Sequence, residues 1–83
     1  MSIVESPPSL FDEIAELIAS TPSAEEILTF RPSAEVQERA RDLLDRLKRD
    51  SLSHEEEQEL DQYEQAELLI RLVKAKVRIL NGP

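Results

Sequence analysis

The chain has no cysteine, no tryptophan and a single glycine. Without cysteine, neither disulfides nor thiolate metal sites can staple the fold. One glycine excludes the Gly-rich loops that cradle phosphates, because those loops need several backbone positions free of a Cβ. The aromatic residues are Phe11, Phe30 and Tyr63, too few for a platform on which nucleic-acid bases stack. No apolar run reaches the roughly 18 residues of a membrane span. The opening MSIVESPPS lacks the basic and apolar regions of a secretory signal, so the expected location is cytoplasmic. A chain of 83 residues makes one domain with a modest core. With no covalent staple, a partner or a second copy is the expected source of further burial.

Positive charge is missing from two of four successive blocks. Residues 1–30 carry six acids and no Lys or Arg, and residues 51–67 carry seven acids and again no base. Residues 31–50 mix six bases with five acids, and residues 68–83 carry four bases and no acid. The net charge of −8 opposes binding of the whole molecule to DNA or to an anionic membrane and suits a basic partner. A surface shaped by solubility alone mixes its signs more evenly.

What is present is helix punctuation. Pro-Ser occurs at Pro8-Ser9, Pro22-Ser23 and Pro32-Ser33. Each proline pushes the residue before it out of the α region, and each serine can accept a hydrogen bond from an early N–H of a new helix. Ser23 to Glu26 and Ser53 to Glu56 have the spacing of capping boxes. Four helices are predicted, over residues 10–19, 24–30, 34–49 and 54–80. The domain spans residues 9–83, behind a flexible N-terminus of residues 1–8. Helix one has the apolar stripe Leu10, Phe11, Ile14, Leu17 and Ile18. Helix two offers Ile27, Leu28 and Phe30, and helix three Val36, Ala40, Leu43, Leu44 and Leu47. The fold class is all-α: three short helices packed on one long C-terminal helix, oligomeric through that helix.

The long helix has two apolar sides. With Ala66 at zero and about 100° per residue, Leu69, Ile70, Val73, Val77 and Leu80 fall within about 60° of it. Leu68, Leu72, Ala75 and Ile79 fall between about 180° and 240°, and Arg71, Lys74 and Arg78 between about 80° and 140°. A helix packed on one side of a monomer needs one stripe. Two stripes suggest a sandwiched helix, with its own chain on one face and another surface on the other. A bilayer surface fits less well, because the polar face is narrow and no Trp or Phe anchors it.

No constellation points to chemistry. In HEEEQELD (residues 54–61), acids of a first turn complement the helix dipole. Adjacent Glu residues fan around a helix and do not converge on a metal, and His54 has no second His at i+4. In helix three, Arg41 with Asp45 and Asp42 with Arg46 stand at ion-pair spacing, which reads as a solvated face, not a DNA reader. The protein is therefore expected to be no enzyme, to need no cofactor or metal, and not to bind nucleic acid directly.

The strings PSLFDEIAELIAS, PSAEEILTFRPS and SHEEEQELDQYEQAELLIRLVKAKVR, in this order over residues 8–78, resemble a group of small acidic helical bacterial proteins common in cyanobacteria. Some members of that group are regarded as antitoxins encoded beside an HNH-type nuclease toxin. The resemblance implies a binding inhibitor and supplies no catalytic residue. The residues themselves suggest an interface: acids of the stretch Glu55–Glu67, with Glu56 and Glu59 foremost, facing a basic partner, and Tyr63, Leu69, Ile70, Val73, Val77 and Leu80 as apolar anchors. The alternative is a homodimeric helical adaptor of unknown partner. Which stripe is intramolecular, and which way two helices would run, stay open at this point.

Overall fold

A computed structural model describes residues 8–82. The flexible N-terminus expected over residues 1–8 lies, apart from Pro8, outside the described residues. Among those residues the secondary structure is helical, with no strand. The helices are α1 (Leu10–Ala19), α2 (Ala24–Leu28), α3 (Ala34–Lys48) and α4 (His54–Asn81).

Each start is set by the expected serine. Ser9, Ser23, Ser33 and Ser53 hold extended backbone and accept from the N–H of Asp12, Glu26, Val36 and Glu56. Ser23 with Glu26 and Ser53 with Glu56 are complete capping boxes, the glutamate reaching back to the serine N–H. The stops are less regular. Helix α2 ends at Leu28, two residues short of expectation, and the Thr29 hydroxyl donates to the Glu25 carbonyl. Pro32 lies just beyond and bars continuation. Phe30 thereby leaves the helix and packs against the core. At the ends of α1 and α3, Thr21 (φ 53°) and Asp50 (φ 55°) take the left-handed conformation that usually falls to glycine.

Helix α4 is the spine. Helices α1, α2 and α3 each pack on it. The central cluster is Leu10 and Ile14 from α1, Val36 from α3, and Ala66 and Ile70 from α4, with Leu17, Phe30, Tyr63 and Val73 half-buried around it. Ala66 is fully buried; its methyl lets neighbouring helices come close where a larger side chain would hold them off. Ala40, Leu43 and Leu60 are buried as well. The molecule is flat and long, 47 × 37 × 18 Å. Its radius of gyration, 15.0 Å, exceeds the roughly 12 Å of a compact chain this size, because three short helices cannot wrap a helix about 42 Å long.

Candidate functional site

The structure decides which stripe of α4 faces inward. Ala66 and Ile70 are buried, and Tyr63 and Val73 pack against the core. Beside this stripe, at about 80°, Lys74 reaches across to donate to the Phe30 carbonyl at 2.7 Å. That bond satisfies a backbone acceptor just past the end of α2 and ties α2 to the spine. The opposite stripe is bare: Leu68 and Leu72 are each 54% exposed and Ile79 74%, and Ala75 is exposed too.

The eight residues expected at an interface therefore divide. Ile70 is buried in the chain's own core, Tyr63 and Val73 pack against it, and Val77 is half-buried. In this fold Ile70 has no surface left to offer a partner. Leu69 and Leu80 are exposed, Leu80 by 80%. They sit at the rim of the inward stripe, near about 300° and 320°, where the covering helices no longer reach.

Glu56 and Glu59 are engaged within the chain. Arg39 holds Glu59 with two bonds, Nε to Oε2 at 2.7 Å and Nη2 to Oε1 at 2.9 Å. Arg46 donates to Glu56 and also contacts Asp42 at 3.2 Å, and Arg39 stands 3.5 Å from Asp42 and 3.8 Å from Glu56. Two arginines of α3 and three carboxylates thus form one network that clamps α3 to α4. The expected Asp42–Arg46 pair forms. Arg41 does not pair with Asp45; α3 directs Arg39 and Arg46, two turns apart, at the long helix instead. Glu59 holds the Arg39 guanidinium above its ordinary pKa, against an opposing effect of partial burial. The carboxyl of Glu56 is held below the ordinary value, first by the Ser53 backbone N–H, with Ser53 Oγ and the Arg46 charge adding and desolvation opposing. Partial burial raises the Tyr63 phenol, helped by Glu67, which accepts its hydroxyl at 3.1 Å.

Sequence reasoning missed a continuity along α4. On the same 100° wheel, Glu57, Asp61 and Glu64 lie between about 160° and 220°, in line with Leu68, Leu72, Ala75 and Ile79. All three acids are exposed. One outward face thus runs the length of the helix, acidic in its first half and apolar in its second, with Arg71, Lys76 and Arg78 beside the apolar part. The signal lies in the spacing: Glu57, Asp61 and Glu64 stand four and three residues apart within a stretch so rich in acids that it reads as an undivided block of charge.

One cleft of about 200 Å³ opens between the start of α1 and the α3–α4 seam, lined by Phe11, Arg39, Leu43, Glu59 and Tyr63 among others. Its arginine and glutamate are bonded to each other, and its lining includes no histidine. Among the described residues no group of three or more His, Asp or Glu stands where it could hold a metal ion, and no helix is long and apolar enough to cross a membrane. Compared with models of known families, with curated proteins and with solved structures, the chain matches none.

Proposed function

We propose that this chain is a non-catalytic protein-binding module, and specifically an antitoxin that binds and neutralises an HNH-type nuclease. The observation that supports binding is the outward face of α4, which the chain's own helices leave uncovered along its length. Apolar side chains left in water along one stripe are the usual mark of a protein contact. The nuclease enters through the resemblance of residues 8–78 to the cyanobacterial group. Electrostatics supports the same assignment. A nuclease presents a basic surface to the phosphate backbone, and Glu57, Asp61 and Glu64 offer exposed carboxylates on one azimuth. Glu56 and Glu59 act differently from the first expectation: bonded to Arg39 and Arg46, they hold α4 in place, and their neighbours meet the partner. Masking needs no chemistry from this chain, and a cytoplasmic location follows from the same reading.

The test is co-expression with an HNH-type nuclease encoded beside this chain. Rescue of growth and co-purification are expected, and the triple variant E57K/D61K/E64K is expected to fold and lose both. A neighbour that is harmless alone, or that stays toxic when this protein is abundant, overturns the antitoxin reading.

A further inference from the structure

The apolar half of the outward face poses a separate question, because its borders are wrong for the acidic half's partner. Leu68, Leu72, Ala75 and Ile79 follow a four-three-four spacing, the d and a positions of a heptad. Arg71 and Arg78 then occupy g, and Lys76 occupies e. After Glu67 the described chain holds no acid. A basic nuclease surface would meet cations here.

Pairing of this seam with the same seam of a second copy meets the same obstacle in either direction. In a parallel pair, g faces e of the next heptad, so Arg71 meets the second copy's Lys76. In an antiparallel pair, g faces g, so Arg71 meets the second copy's Arg78. Either arrangement opposes like charges across a dry contact, which costs affinity. Arg71 is partly neutralised by its own Glu67 at 2.9 Å, but Lys76 and Arg78 are in no ion pair among the described residues.

One element of the chain has the complementary chemistry. Helix α1 buries Leu10 and Ile14, yet leaves Phe11 37% and Ile18 56% exposed. Phe11, Ala15 and Ile18 stand at i, i+4 and i+7, one stripe beside the buried one. Asp12 and Glu16 border that stripe on its outer side, both are exposed, and neither is in an ion pair among the described residues. Residues 1–30 contain no Lys or Arg. The stripe from Phe11 to Ile18, about 10 Å long, fits within the seam from Leu68 to Ile79, about 17 Å long.

We infer that the chain is a homodimer in which α1 of each copy lies on the Leu68–Ile79 seam of the other. Phe11, Ala15 and Ile18 meet Leu68, Leu72, Ala75 and Ile79, and Asp12 and Glu16, which border one side of the α1 stripe, meet the flank of the seam that carries Arg71 and Arg78. A two-fold axis makes the contact twice. Glu57, Asp61 and Glu64 stay open, so the dimer stands or falls independently of the nuclease.

Sedimentation equilibrium of the full chain tests this, with circular dichroism melts to show that each variant is folded. The wild type is expected to dimerise. E16K alone and R78E alone are each expected to weaken the dimer about tenfold, since each charge reversal acts at two symmetric contacts. The combined variant E16K/R78E is expected to recover most of the loss. Three results overturn the inference: a monomer at all accessible concentrations, a dimer that R78E strengthens (the sign of antiparallel seam-on-seam pairing), or a combined variant no tighter than either parent.

Discussion

At the residue scale, two positions carry most of the information that local pattern could not supply. Thr21 is β-branched and sits at φ 53°, where a side chain costs about 1–2 kcal/mol that glycine avoids. It also precedes Pro22, which restricts its backbone further. Thr21→Gly is expected to stabilise the fold by about 1 kcal/mol net of glycine's greater freedom when unfolded, read as a higher urea midpoint at unchanged slope. Asp50 is the milder case, since a short polar side chain tolerates this region. Glu56 sets a pH dependence. Its folded pKa lies below the ordinary value of 4.5, so its contribution is complete above that value and is lost as pH falls through the depressed one. Urea midpoints measured from pH 7 to pH 3 are expected to fall most steeply below about pH 4.5, and Glu56→Gln to flatten part of that slope.

The four helices were legible from sequence at the scale of the element, because their starts are written in capping chemistry that acts over four residues. Ser9, Ser23, Ser33 and Ser53 each did what their spacing implied. The stops were read to within two residues, and the largest error, at α2, arose where Phe30 left the helix for the core. A core contact outweighs one more turn of so short a helix. What pairs with what was not legible. The Arg39–Glu59 contact joins residues twenty apart, and local spacing favoured pairs within α3. That contact is partly exposed and screened, so Arg39→Ala is expected to cost only about 1 kcal/mol, with a smaller loss in 1 M salt. Paired urea titrations at low and high salt check both.

For the whole molecule, the decisive contrast is between neighbours on α4. Val73 and Leu72 are adjacent in sequence and about 100° apart around the helix, which puts them on different stripes. Val73 packs against the core, so Val73→Asp buries a charge and is expected to destabilise folding by several kcal/mol. Leu72 is 54% exposed, so Leu72→Asp is expected to leave the thermal midpoint of the dilute monomer nearly unchanged. Thermal melts at low concentration separate the two. A Leu72→Asp chain that unfolds like Val73→Asp would mean that the outward face is covered within the chain.

The sequence by itself determined the helical class, the four helix starts, the length of the spine and the presence of two apolar stripes upon it, because capping and the 3.6-residue period are local. It also carried the blocks of charge. Only the tertiary structure decided that the stripe of Ala66 and Ile70 belongs to the core and that of Leu68, Leu72 and Ile79 to the surface. Either stripe would have satisfied the helix; what settled it was where α1, α2 and α3 lie. The same packing turned Glu56 and Glu59 from free acids into the clamp between α3 and α4, leaving Glu57, Asp61 and Glu64 outside. Periodicity records how many faces a helix has, and the choice of the face that is covered belongs to contacts between residues far apart in the chain.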